Sequence, residues 1–213
     1  MVRSQFDAIF TVRTANSVRA AVVRALRAGV RAAGESYEFG RPRTDPHTYG
    51  NDLWRFVWYE MGRELGALPG ASVQHPRGSF LVDLGKAALY PFRYGGSPAD
   101  DVTTCRLAES WFRRELLVDP QTQPHLFWPQ VVLVPYAANP NAGLVRAYVG
   151  EAQIADGDLL DWQWLEELDV DGPAGGRADR DGLLPVPLPR QPEEPQLDLE
   201  LADPDAGAGG EAG

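Results

Sequence analysis

Cysteine and lysine are almost absent from this chain of 213 residues, since Cys105 and Lys86 are the only examples. A single cysteine excludes an internal disulfide and a zinc site built from cysteines. No run of about eighteen apolar residues occurs, so we expect no membrane-spanning helix. The first ten residues lack the apolar stretch of a signal peptide. These absences predict a cytoplasmic protein, and nineteen arginines against one lysine indicate a bacterial genome rich in G and C.

Motifs of the common enzyme classes are also missing. The chain has no phosphate-binding loop, no dinucleotide-binding fingerprint and no Gly-x-Ser-x-Gly nucleophile elbow. Its three histidines, His47, His75 and His125, are scattered, and none has a second metal-ligating residue three or four positions away. This spacing predicts no metal site. We therefore expect a protein that holds no cofactor and does not act as an enzyme.

The formal net charge of −10 at pH 7 is distributed unevenly along the chain. Residues 1–43 hold eight arginines and three acids, whereas residues 171–213 hold ten acids and three arginines. The segment between them is also acidic. This distribution argues against nonspecific nucleic-acid binding by the whole surface, but it leaves room for a local basic patch near the N-terminus.

Two apolar blocks, residues 79–95 and 130–151, predict two β-hairpins that are too apolar to lie open to water. In the first block, Gly85-Lys86 fits a two-residue turn that places Val82 opposite Leu89. In the second block, residues 139–143 fit a longer loop between two strands.

Three shorter patterns add strands or limit them. Proline at position 91 has no N–H to donate to a neighbouring strand, so we expect this end of the first hairpin to lie at a sheet edge. A short strand is predicted around Val73. The alternation of Leu160, Trp162 and Trp164 with polar residues has the period of a strand.

Helical periodicity is clearest over residues 17–33, where apolar residues recur every four positions. We expect this helix to end at Gly34 and a loop to follow over residues 35–45. Residues 4–12 fit either a short helix or a turn that leads into it.

Two more helices are predicted further along the chain. Asp45-Pro46 fits the start of a helix that ends at Gly66. Its expected buried stripe consists of Trp54, Trp58, Met61 and Leu65. Residues 101–117 predict another helix, which would place Cys105 near a helix start, where a thiolate is favoured. Without a histidine nearby in the sequence, a buried or half-buried thiol is the default interpretation.

Together these elements predict an α+β fold, with two or three helices packed on an antiparallel sheet built from the two hairpins. We expect a single globular domain over residues 1–170. Residues 171–213 contain no aromatic residue, seven prolines and ten acids. Such a segment buries too little apolar surface to offset the entropy of ordering, so it predicts a disordered tail.

A carboxylate near a lysine is the combination most typical of a metal-dependent nuclease or phosphodiesterase. Asp83 and Lys86, joined by Glu35, would then supply the acids that hold Mg²⁺ and a lysine beside the attacked phosphate. The spacing argues against this, because such a core places the acid and the lysine two residues apart on one side of a strand. A solvated lysine in a hairpin turn is the simpler interpretation.

The best positive feature is a set of three arginines, Arg24, Arg27 and Arg31, spaced to share one side of the first long helix. They suit nucleic-acid phosphates, an acidic partner or the acidic tail, and they equally suit a solubilising surface. The leading hypothesis is a non-enzymatic interaction or regulatory protein that binds a partner protein. Two alternatives are the metal-dependent nuclease and a nucleic-acid-binding module inhibited by its own acidic tail.

Overall fold

The structure, a computed structural model, describes residues 4–40, 46–106, 130–154 and 159–172. All of them belong to one structural unit, Met1–Gly176. Within the described ranges there are three α-helices and six strands. Their bounds are α1 Gln5–Ile9, α2 Val12–Gly40, α3 Pro46–Gly66, β1 Ser72–Gln74, β2 Leu81–Asp83, β3 Ala88–Gly95, β4 Val131–Asn139, β5 Gly143–Ile154 and β6 Leu160–Glu167.

The six strands form one mixed sheet in the order β1-β2-β3-β4-β5-β6. All neighbouring pairs are antiparallel except β3 and β4, which run parallel from Ala88 opposite Val131 to Gly95 opposite Ala137. The predicted α+β class is confirmed. The prediction of a purely antiparallel sheet is wrong, because the two hairpins join through a parallel pair. A parallel pair requires the chain after Gly95 to return to the opposite end of the sheet before β4 begins.

Both predicted hairpins are present. The first turns at Gly85-Lys86 and places Val82 opposite Leu89, as predicted. Gly85 has φ of 79°, in the left-handed region where a residue without Cβ meets no steric penalty. The second hairpin joins β4 to β5, and the strand predicted around Val73 is β1.

Pro91 lies in an internal strand rather than an edge strand, because β3 pairs with β4 as far as Pro91 opposite Val134 and beyond. The N–H of Ala88 donates to the carbonyl of Gln130 on the β4 side. Since backbone groups alternate along a strand, the nitrogen of Pro91 points to the β2 side. β2 begins at Leu81 and does not reach Pro91. The expected edge is therefore present on the β2 side, where β3 has no paired residue beyond Leu89, whereas the β4 side of β3 is paired.

α2 is longer than predicted, since it runs from residue 12 to residue 40 and Gly34 does not end it. The loop predicted over residues 35–45 is helical as far as residue 40, and residues 41–45 lie outside the described ranges. Tertiary contacts explain the difference. The Ser36 hydroxyl donates to Asp52 of α3 at 2.9 Å, and the Tyr37 and Tyr49 rings meet edge-on at 5.7 Å.

α3 begins at Pro46 as predicted, but the composition of its buried stripe differs. The fully buried side chains recur every four residues and are Tyr49, Leu53, Val57, Met61 and Leu65. Trp54 is 40% exposed, so its assignment to the buried stripe is wrong, whereas Trp58 is partly buried and packs against the core. The tryptophans lie one position beyond the stripe, at the margin of the contact with the sheet.

The helix predicted over residues 101–117 is not formed in its described part. Asp101 accepts a hydrogen bond from Thr103 N at 2.8 Å, but only a single 3-10 turn, Val102–Thr104, follows. Cys105 is then extended, and its carbonyl accepts from Leu160 N at 3.3 Å. This pairing competes with helix formation. Residues 107–117 of the predicted helix lie outside the described ranges.

Both faces of the sheet are buried. One face packs against α1, α2 and α3, and its inward side chains include Val82, Leu89, Val132, Val134, Tyr136 and Val149. The other face forms a second core with Val102 and Cys105, and it includes Leu81, Ala88, Tyr90, Phe92, Leu133 and Leu160.

Among the described helices, none combines the length and the apolar character that a membrane-spanning helix needs. The predicted disordered tail lies outside the described ranges except for Asp171 and Gly172.

Gly29 tests the α2–α3 contact. A Cβ at this position would lie 2.7 Å from the Val57 Cα of α3, closer than real Cβ contacts come. We expect Gly29→Ala to lower the free energy of unfolding by about 1–3 kcal/mol, because the helices must separate. The matched control is Gly34→Ala, where the nearest atom is 3.9 Å away. It should stabilise the helix by about 0.5–1 kcal/mol. Urea unfolding measures both, and equal effects would contradict this description of the contact.

Candidate functional site

The three arginines of the predicted binding face have separate contacts. Arg24 Nε donates to Glu64 Oε2 of α3 at 2.8 Å. Arg27 donates to the backbone carbonyls of Val170 and Gly172, which follow β6. Arg31 forms a long 3.8 Å ion pair with Glu35, the residue one turn further along α2. Two of the three arginines are therefore engaged in holding the fold together.

The contact of Arg27 involves the first residues of the predicted tail. The Asp169 carboxylate accepts hydrogen bonds from the backbone N–H groups of Asp171 and Gly172, at 3.2 and 2.7 Å. This turn presents carbonyl groups to Arg27. Residues 171 and 172 thus belong to the packed unit, while the boundary predicted at residue 170 stays a prediction.

The acid–lysine combination has a local structural explanation. One oxygen of Asp83 accepts from Gly85 N at 2.7 Å, and the other accepts from the side chain of Gln74 at 3.3 Å. These bonds stabilise the hairpin turn, where Lys86 is exposed to solvent. Glu35 lies on α2 and pairs with Arg31. Among the described residues, no group of three or more His, Cys, Asp or Glu side chains could hold a metal ion.

Cys105 is buried against the second core. Burial raises the pKa of its thiol from the ordinary 9.0 to about 11, so the group is neutral at physiological pH. The default interpretation, a buried thiol, is confirmed. The helix start that would favour a thiolate is not formed, because the backbone at Cys105 is extended.

The carboxyl ends of β3 and β4 are a common position for ligands in sheets with parallel strands. Here the polar groups bind one another. Arg93 Nε donates to the carbonyl of Ala138 at 3.1 Å, and the Asn139 amide donates to the carbonyl of Gly96. Asp100 accepts from Gly96 N at 2.7 Å and from Ser97 N, and these bonds lower the pKa of its carboxyl group. This arrangement joins the two strand ends.

An aromatic surface between α3 and the first strand is the strongest candidate site. We call it the α3–β1 surface, and it consists of Trp54, Arg55, Trp58, Tyr59, Val73 and His75. Five large apolar side chains are exposed in the described part of the chain, and three of them lie here. Tyr59 is 52% exposed, Trp54 40% and Val73 39%.

Ring contacts connect this surface to the core. Trp54 and Trp58 meet edge-on, with centroids 4.5 Å apart. Trp58 stacks on the buried Phe80 at 5.6 Å with an interplanar angle of 16°, and His75 also contacts Phe80. The Arg55 guanidinium lies over the Trp54 ring at 5.6 Å. The exposed tryptophan is therefore held in position from below.

Two glycines of α3 face the edge strand. A Cβ on Gly62 or on Gly66 would lie 3.6 Å from a methyl group of Val73, an ordinary van der Waals distance, so the Val73 side chain lies next to the glycine positions of the helix. The sequence interpretation missed this surface because it assigned Trp54 to the core. The available signal was the Gly62–Gly66 spacing of four, next to the tryptophan positions on the helix.

Comparisons with protein-family models, with curated proteins and with solved structures found no match.

Thiol reactivity tests the state of Cys105. With a pKa of about 11, roughly one thiol in a thousand is ionised at pH 8, against about one in ten in an unfolded chain. We expect iodoacetamide to alkylate the folded protein about 100-fold more slowly than the urea-unfolded chain. Folding favours the neutral thiol, so this group's contribution to stability is lost as pH rises from about 9 to about 11. Equal alkylation rates at pH 8 would show an accessible, ordinary thiol.

Proposed function

We propose that this protein acts by binding a partner protein, as an interaction or regulatory protein, and that the α3–β1 surface is the contact. The observation that carries the proposal is the exposure of Trp54 and Tyr59 on α3, together with that of Val73 on β1. Tryptophan, tyrosine and arginine are the residues that contribute most to binding energy in protein interfaces. Large aromatic side chains grouped on a surface are a recognised sign of an interaction site.

The ring stack beneath the surface supports this function. Trp54 rests on Trp58, and Trp58 rests on Phe80, which is fully buried. A side chain that is already held in place loses little conformational entropy when a partner covers it. The arrangement therefore favours binding by a preformed surface.

The arginine face of α2 is less suited to be the main contact. Arg24 would have to release Glu64, and Arg27 would have to release two backbone carbonyls, before either could bind a partner. Breaking such charge-assisted hydrogen bonds costs part of any binding energy gained. Arg55 needs no such release, because it contacts only an aromatic ring among the described contacts.

Substitutions on the surface test the proposal. We expect Trp54→Ala and Tyr59→Ala each to weaken partner binding by about 2 kcal/mol or more, roughly 30-fold, because each removes an exposed aromatic anchor. The partner is first captured from the native host by the wild-type protein, and its affinity is then measured with purified proteins. The matched control is Phe39→Ala, which removes another exposed aromatic side chain, 94% exposed, at the end of α2.

Thermal unfolding of each variant shows whether the fold is retained. Binding that is equal in the wild type, Trp54→Ala and Tyr59→Ala would rule out the α3–β1 surface. Capture of nucleic acid that depends on Trp54 would replace the protein partner with a nucleic acid, since aromatic side chains also stack on bases.

A further inference from the structure

β1 is the first strand of the sheet, and the hydrogen-bond pattern fixes which of its backbone groups face outward. Leu84 N donates to Ala87 O at 3.0 Å, which makes these the hydrogen-bonded pair next to the turn. Hydrogen-bonded pairs alternate in an antiparallel ladder, so Val82 bonds toward β3 and its two neighbours bond toward β1. In the observed register, Val73 lies opposite Val82. The N–H and C=O of Val73 therefore point away from the sheet.

We propose that the α3–β1 surface binds an extended peptide segment of the partner as an additional strand beside β1. The segment carries apolar side chains toward α3 and acidic side chains near Arg55 and Lys86. This inference rests on the proposed function and specifies the chemistry of the partner. Strand addition at a sheet edge takes its affinity from backbone hydrogen bonds and its specificity from alternate side chains.

The helix side of the edge suits an apolar side chain. Val73 lies next to Gly62 and Gly66, so the side of α3 that faces β1 has no bulky side chain at these two positions. Tyr59 precedes Gly62 by three residues, which places it on the same side of the helix. In an added strand, every second side chain of the peptide would point toward α3, where it would contact Tyr59 and the side of the helix that carries Gly62 and Gly66.

The charges near β1 select an acidic segment. Arg55 and Lys86 are exposed, and neither forms an ion pair with a described residue. Arg63 differs, because it already pairs with Glu60 at 2.7 Å and with Glu64 at 3.0 Å. Complementary charge raises association rates and selects among partners.

Asp83 is the acid closest in register to β1, since it lies opposite Ser72. One of its carboxylate oxygens accepts a hydrogen bond from the backbone N–H of Gly85, and the other accepts one from the side-chain amide of Gln74. Strand alternation directs its side chain to the face opposite α3, because its neighbour Val82 packs in the helix-side core. Asp83 therefore lies on the face of the sheet opposite Arg55 and α3, and both of its carboxylate oxygens are already engaged.

A second copy of the chain fits this edge less well than an acidic peptide. A second copy would offer this edge no complementary charge, because its β1 is uncharged and the exposed unpaired side chains next to it, Arg55 and Lys86, are cations as well. The last strand in the order, β6, carries Asp161, Glu166 and Glu167, and charged side chains on an edge strand discourage pairing. β1 carries no charged residue.

The test selects a ligand and then removes one backbone donor. A phage-displayed library of random seven-residue peptides is panned on the full-length protein. The dominant peptide is synthesised with a fluorescent label, and its binding is measured by anisotropy. We expect alternating apolar residues with Asp or Glu, and modest affinity, because a three-residue strand offers few outward backbone groups.

Variants at Val73 separate the backbone from the side chain. Val73→Pro removes the outward N–H and should weaken binding at least tenfold, whereas Val73→Ala keeps the N–H and should weaken it less. Slower hydrogen exchange at the Val73 amide of the wild-type protein on peptide binding gives the same information if Val73→Pro fails to fold. Arg55→Glu combined with Lys86→Glu should weaken binding at least tenfold, and the charge control is Arg13→Glu, an exposed arginine of α2.

Each other outcome overturns a defined part of the inference. Loss of binding in Tyr59→Ala with no effect of Val73→Pro or on Val73 exchange would retain the interaction surface and overturn strand addition. Binding insensitive to Tyr59 and Val73 would overturn both. Selection of basic peptides would overturn the charge assignment. A dimer in light scattering that Val73→Pro dissociates would make a second copy the occupant.

Discussion

Parallel pairing of β3 with β4 is the contact on which the rest of the structure depends. It joins two hairpins that have apolar side chains on both faces, and so creates a sheet that must be covered on both sides. The helices α1, α2 and α3 cover one face. Burial of both faces accounts for the near-continuous apolar sequence of β3 and β4, which is typical of strands in parallel pairs.

The candidate surface follows from how α2 and α3 share the helix side of the sheet. Gly29 of α2 lies against the backbone of Val57 in α3. The two helices therefore approach closely at the buried side of α3, where Leu53, Val57 and Met61 follow one another every four residues. This orientation places Gly62 and Gly66 over β1 and leaves Trp54 at the margin. The edge strand β1 and the aromatic side of α3 thus become neighbours in space, and only residues 67–71 separate them in the sequence.

Features set by neighbouring residues were predictable from the sequence. The turn at Gly85, the register of Val82 with Leu89 and the start of α3 at Pro46 depend on local backbone preferences. The end of α2 was not predictable in this way, because Ser36 and Tyr37 continue the helix through contacts with α3. Likewise, the 3-10 turn before Cys105 replaces a predicted helix because that residue pairs with Leu160.

By itself the amino-acid sequence determined the α+β class, the two hairpins and the amphipathic character of α2, since periodicity and turn chemistry act over a few residues. Only the tertiary structure decided that the hairpins join in parallel and that Arg24 and Arg27 are engaged within the fold. It also decided that Trp54 lies at the surface. Those outcomes depend on which distant segments pack together, and burial in such contacts is a property of the whole chain that no local pattern contains.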